Sequence, residues 1–291
     1  MRQVYLSIAG LTLLVRLHDE WSSLRLPASY EPFMVAGRSV DPVLTLNVRC
    51  GENCPVQCCE PVASGMNDLG ETRLYVCDDS YVVNLSPRPG CGFRTMTISR
   101  DFKIGELTMP AGDVFAVYTV DSMLRILFSQ AVVAHNAFML HSAAVVHRGC
   151  AVLLMGKSGT GKSTHARLWM NEFDNTELLN DDNPVVRVLP SGIVMAYGSP
   201  WSGKTACYRQ AFAPVKAFVR LEQAKVNEFS QRCNIDAFVA ILPGVSVITH
   251  SKDLYSRVCS TVIEAAARTV VGSLRCLPDA DAARKLRMSL F

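Results

Sequence analysis

The sequence predicts an α/β domain over residues 126–291, preceded by a mostly β domain over residues 1–125. Three observations carry this. Short β-prone stretches, separated by turns rich in Gly, Pro, Asn and Asp, fill roughly the first 120 residues. The composition changes between about 120 and 135, where a helical period sets in. Beyond it, apolar strand-like runs alternate with helical patterns, and the stretch "LLMGKSGTGKSTHARLW", residues 153–169, passes from one to the other through glycines.

With 291 residues, 49% of them apolar and 19% charged, the chain is long enough for two globular domains. A net charge of +3 without any Lys/Arg run argues against nucleic acid or an anionic membrane surface as partner. The opening "MRQVYLSIAGLTLLVRL" places one Arg before an apolar run, but Ser7, Gly10, Thr12 and Arg16 interrupt it. It reads as a hairpin about Ala9-Gly10 rather than an export signal. No stretch reaches the ~18–20 apolar residues that span a bilayer, and a cytoplasmic protein is expected. Of eleven cysteines, Cys50, Cys54, Cys58, Cys59, Cys77 and Cys91 crowd the first third of the chain. The short gaps in "RCGENCPVQCCE" occur in zinc sites, but structural zinc normally uses two separated short-gap pairs. Reduced thiols are the expectation.

In order, the expected N-terminal strands are "YLSI", "LTLLVRL", "PVLTLNVR", "ETRLYVC", "SYVVNLS", "RTMTISRD" and "AGDVFAVYTV". A helix follows from about Asp121, taken as its N-cap, to Asn136. "FMLHSAAVVH" and "CAVLLM" are strands joined by a turn at Arg148-Gly149, and a helix runs from Lys162 to about Asn171. "ELLN", "PVVRVL", "GIVMAY" and "VKAFVRLEQ" supply further strands. Helices are expected near 234–242 and 254–268, then the strand "VGSLRCL" and a last helix from about Asp279.

Gly156-Lys157-Ser158-Gly159-Thr160-Gly161-Lys162-Ser163 matches G-x-x-x-x-G-K-[ST] in full, with Thr164 next. Glycines let successive backbone N–H groups turn inward on phosphate oxygens, and the helix that starts there adds its positive end. Lys162 is expected on the β- and γ-phosphates and the Ser163 hydroxyl on Mg²⁺, which makes Mg-ATP the expected cofactor. Asp181 and Asp182 end an apolar strand 18 residues beyond Ser163. One carboxylate of such a pair can bind the metal, with Asp181 paired here with Ser163, while the other takes a proton from an acceptor hydroxyl. The competing reading is an ordinary Asp-Asp-Asn-Pro turn. His141 lies on the strand that hairpins into the loop strand, whereas His165, inside the helix, reads as surface or packing. In "YGSPWSGKT", residues 197–205, Lys204 is a candidate for neutralising phosphoryl charge, and Trp201 for a wall or a loop anchor.

The ordered set "HSAAVV…GCAVLLMGKSGTGKST…LLNDDNPVV" resembles the catalytic domain of the HPr serine kinase/phosphorylase family, and its core is similar to that of phosphoenolpyruvate carboxykinase. The resemblance covers about residues 135–291. It implies a P-loop kinase domain in which Gly156, Gly159, Gly161, Lys162 and Ser163 hold triphosphate and metal. Asp181 and Asp182 would supply metal coordination and the general base, and His141 would sit near the transferred phosphate. The family's usual glycine-containing segment after the Asp pair is replaced by "GSPWSGK", and the β-rich N-terminal region is unlike the family's. The expected activity is therefore phosphoryl transfer from ATP to a hydroxyl of a protein, peptide or small molecule, with the acceptor unassigned and a homo-oligomer left open. A nucleotide-binding regulator, or a carboxykinase-like NTPase acting on a small acid, are the alternatives.

Overall fold

The computed structural model describes residues 1–37, 41–51 and 60–291. Cys54, Cys58 and Cys59 lie outside the described residues. The chain divides into two compact units, Met1–Val132 and Val133–Phe291. A boundary at 125/126 would cut a helix that runs on to Ala131.

The first unit is built on a mixed nine-stranded sheet in the order β3-β1-β2-β4-β9-β8-β7-β6-β5. Its strands are β1 (Arg2–Ile8), β2 (Leu11–Leu17), β3 (Met34–Val35), β4 (Leu44–Cys50), β5 (Ala63–Asn67), β6 (Gly70–Val76), β7 (Ser80–Ser86), β8 (Arg94–Ser99) and β9 (Ile104–Met109). Period-2 alternation is plain in β1 and β9, which bury every second side chain. Helix α1 (Ala116–Ala131) packs on β4, β8 and β9 and buries Val120, Met123, Leu124, Leu127 and Phe128.

Three expectations are corrected here. "AGDVFAVYTV" is not a strand; its second half is the first turn of α1. The helix starts at Ala116, after a turn set by Asp113, which accepts the Phe115 amide on its side chain and the Ala116 amide on its carbonyl. Asp121 is not a cap but lies inside α1, where its carboxylate accepts the Tyr30 hydroxyl at 2.7 Å. Finally, Ala116–His135 is long and apolar enough, by length and composition, to cross a membrane, and most of it is buried in the fold. Cys77 and Cys91 are free, half-buried thiols, Cys50 is half-buried, and among the described residues no cluster of metal-ligating side chains is gathered.

The second unit carries nine strands in one mixed sheet. They are β10 (Ala137–Met139), β11 (Ser142–His147), β12 (Cys150–Met155), β13 (Thr176–Asn180), β14 (Val185–Val188), β15 (Val194–Tyr197), β16 (Phe212–Gln223), β17 (Glu228–Arg232) and β18 (Val270–Cys276). β11 and β12 form the expected hairpin, turned by Arg148 and Gly149, both at positive φ. β12 and β18 run parallel to β16 on its two sides, while β13 runs antiparallel to β11. Helices α2 (Lys162–Glu172) and α5 (Ala280–Leu290) cover one face. There Ala166, Trp169, Ala283, Leu286 and Leu290 join Val152, Leu154, Val219 and Leu274 in one apolar core. Helices α3 (Asn234–Ile241) and α4 (Lys252–Arg268) pack against each other, and both contact β18.

This register gathers one end of the sheet. The end of β13, the start of β11, and the ends of β12, β16 and β18 lie side by side: Ala144 faces Asn180, Ser142 faces Met155, Met155 faces Arg220, and Gln223 faces Cys276. A crevice beyond the carboxyl ends of parallel strands is where open α/β sheets bind ligands.

Candidate active site

The loop between β12 and α2 leaves the sheet at this end. Gly156, Gly159 and Gly161 have φ of 154°, 80° and 105°, values that side chains rarely adopt. Thr160 closes the turn by donating both its amide and its hydroxyl to the Lys157 carbonyl, at 3.1 and 2.7 Å. Lys157, Ser158 and Gly159 are exposed, while Ser163 and Thr164 are half-buried on the first turn of α2. The Ser163 hydroxyl has no hydrogen-bond partner among the described residues.

Lys162 is buried and folds back on its own loop, donating to the carbonyls of Gly156 at 3.1 Å and Lys157 at 3.3 Å. Its Nζ also lies 3.0 Å from His141 Nε2. Burial pushes the ammonium below its usual pKa, and the Asp182 and Asp181 carboxylates oppose that only in part. His141 Nδ1 in turn lies 3.0 Å from Asp182 Oδ1. An imidazole with its proton on Nδ1 satisfies both contacts, donating to Asp182 and accepting from Lys162.

The backbone fixes this line. "FMLHSAAVVH" is two strands, not one: β10 pairs with β14, β11 pairs with β12, and His141 sits in the break. Its amide donates to the Gly244 carbonyl at 2.8 Å, and the next amide, of Ser142, donates to the Asp182 carbonyl at 3.0 Å. The segment carrying the aspartates is therefore tied directly to the segment carrying the histidine.

Asp181 is 4% exposed. Its Oδ2 accepts the Thr205 amide at 3.1 Å, and its Oδ1 is buried without a partner. An orphaned buried carboxylate oxygen costs about 1–3 kcal/mol or more, so a cation is the natural partner. Oδ1 of Asp181 and the unpartnered Ser163 hydroxyl are both hard oxygen donors, the kind that Mg²⁺ takes.

The "YGSPWSGKT" segment folds over the same pair. Asn180 Nδ2 donates to the Ser199 and Trp201 carbonyls, Ser199 donates to the Asn183 carbonyl at 2.7 Å, and Asn183 donates to Asp182. A Cβ on Gly203 would come within 2.9 Å of the Asp181 carbonyl, so only glycine lets the segment lie this close. Trp201 is buried, which makes it the anchor of the segment and not an exposed wall. Lys204 is exposed and forms no hydrogen bond or ion pair among the described residues. The structure thus brings Lys162, His141, Asp181 and Asp182 into one cluster, with Ser163 next to Lys162 in the chain, while Lys204 lies on the segment that folds over the aspartates with its side chain exposed.

Two clefts flank the loop on the β16 side. One of about 500 Å³ is lined by residues 156–160 and by Arg220, Leu221, Glu222 and Gln223. The other, of about 440 Å³, includes Thr164, His165, Ala224, Cys276, Leu277 and Pro278. His165, expected as surface or packing, is 2% exposed, and neither ring nitrogen has a partner. Burial pushes its pKa down to about 4, against a small opposing pull from Asp279. Nothing in the sequence marks this residue beyond its place two positions after Ser163.

No protein-family model matches the chain, and no curated protein matches it. Among solved structures, the HPr(Ser) kinase/phosphatase from Coxiella burnetii is similar to it at 10% sequence identity and a TM-score of 0.31, over 52% of this chain and 97% of that one.

Proposed function

We propose that the chain is a Mg-ATP-dependent phosphotransferase that moves the γ-phosphoryl group to a hydroxyl of a protein, peptide or small molecule. The observation that carries this reading is the unbroken line Asp182–His141–Lys162 at the mouth of a complete phosphate loop. Lys162 exchanges its loop carbonyls and His141 for phosphate oxygens when the nucleotide enters. That frees the lone pair on His141 Nε2. The acceptor hydroxyl gives its proton to Nε2, and Asp182, already on Nδ1, holds the ring's orientation and stabilises the imidazolium. A bond forms from the acceptor oxygen to the γ-phosphorus while the bond to the bridging oxygen breaks, and ADP leaves. Bound through Asp181 Oδ1 and the Ser163 hydroxyl, Mg²⁺ would neutralise phosphate charge. The loop amides and Lys162 supply the remaining electrostatic stabilisation.

The test is incubation with γ-labelled ATP and pools of hydroxyl-bearing peptides and metabolites. The expected result is label in an acceptor, lost in Asp182→Asn and in His141→Ala. Label found only as free phosphate, at a rate that Asp182→Asn leaves unchanged, defeats the transfer reading while leaving nucleotide binding intact.

A further inference from the structure

We propose that the cleft behind the first turn of α2, with His165 in its wall, takes the heteroaromatic base of the nucleotide. This deepens the phosphotransferase reading and rests on its phosphate loop. The first observation is placement. His141, Asp181 and Asp182 lie on the β11 and β13 side of the loop, whereas this cleft lies on the β16 and β18 side, sharing Gly159 and Thr160 with the loop itself. A nucleotide whose γ-phosphate meets Lys162 and His141 runs along the loop amides, and its far end leaves on the opposite side, over Thr164.

The second observation is an unmet need. His165 is 98% buried, lines the cleft, and has a bonding partner at neither ring nitrogen. A neutral imidazole offers one donor and one acceptor. The two nitrogens point to different sides of the ring, so a nucleobase edge meets one of them, as donor or as acceptor, once the ring turns toward the cleft. The third observation is the rest of the wall. Leu221, Ala224, Cys276, Leu277 and Pro278 give flat apolar surface, and burial pushes the Cys276 thiol up to about 11, so it stays uncharged. Gln223 lines both clefts and donates weakly to the Gly159 carbonyl at 3.4 Å, ready to exchange that contact for a ligand. Apolar faces with a few convergent polar groups are what a base site requires.

Calorimetric titration with Mg-ATP and with Mg-tripolyphosphate tests this on wild type, His165→Leu and Leu277→Trp. Leu277 is 39% exposed at the rim, so tryptophan there fills the cleft without entering the core. Wild type is expected to bind ATP more tightly than tripolyphosphate. Each variant is expected to lose about tenfold in ATP affinity, or roughly 1.4 kcal/mol, while its tripolyphosphate affinity stays the same. ATP affinity unchanged in Leu277→Trp overturns the base site, as does equal weakening of both ligands in either variant. Wild type that binds both ligands equally also removes the base site and spares the phosphate loop. Wild type that binds neither removes the loop reading itself, and the base site with it.

Discussion

The two units treat buried charge in opposite ways. In the first, Arg94 and Asp113 form a two-pronged ion pair, with N–O distances of 2.7 and 2.6 Å and side chains 6% and 1% exposed. The remaining guanidinium nitrogen donates to the carbonyls of Cys91 and Gly92, and the carboxylate also accepts the Phe115 amide. That group is closed. In the second unit Lys162, His141, Asp181 and Asp182 are equally gathered but incomplete: Asp181 Oδ1 has no partner, and Lys162 rests on its own loop's carbonyls. A satisfied buried pair holds a fold together, whereas an unsatisfied cluster beside a glycine-rich loop is a candidate ligand site.

Asp182→Asn strikes the open cluster at its base. Transfer is expected to fall by about 10²–10⁴-fold, with ATP affinity by calorimetry nearly unchanged. Arg94→Ala strikes the closed one, leaving an uncompensated carboxylate, and is expected to cost about 3–5 kcal/mol in urea unfolding. In the variant that remains folded, ATP affinity should match wild type; a large loss would erase the distinction between the two groups.

The two groups also differ in how they respond to acid. Burial alone would raise the Asp113 carboxyl, but the Arg94 hydrogen bonds, the Phe115 amide and the Arg94 charge outweigh it and hold it below its ordinary value. Its contribution is present above the unfolded value near 3.9 and is lost as pH falls through the folded one. His165 behaves differently. Its folded value of about 4 lies under an unfolded value near 6.5, so the unfolded chain binds the extra proton between the two. Stability should therefore fall by about 3 kcal/mol as pH drops across that window. Thermal melts at pH 5 and 7 check this, and His165→Gln should flatten the difference. The smallest effect belongs to Gly203→Ala, whose Cβ would press on the Asp181 carbonyl. Displacing the pair by a fraction of an ångström should slow transfer about tenfold, with little change in melting temperature.

How far these groups could be read from the sequence follows from how local their causes are. The glycine-rich turn is written in contiguous residues, so its place between a strand and a helix, at Gly156 through Ser163, is legible from spacing alone. The Asp pair and His141 are legible as candidates because each ends or starts an apolar stretch. Their joining is not, since it depends on a strand break at His141 and on amides bonded to Gly244 and Asp182 from distant segments. α1 begins five residues before Asp121, after a turn that Asp113, already held by Arg94, fixes through the Phe115 and Ala116 amides. β9 is not legible from local sequence: "IGELTM" is short, contains Gly105, and owes its strand form to β4 and β8 on either side. His165 reads as any helical residue, and only the surrounding strand ends make it a buried ring with nothing to bond.

The most direct measurement is calorimetric titration of ATP into wild type and Asp181→Asn, each with and without Mg²⁺. The open cluster should bind ATP in wild type with a strong Mg²⁺ dependence, and Asp181→Asn should remove most of that dependence while retaining metal-free binding. Wild type that binds no ATP, or binds it identically with and without Mg²⁺ and with Asn at 181, contradicts the assignment of this cluster as a metal-nucleotide site.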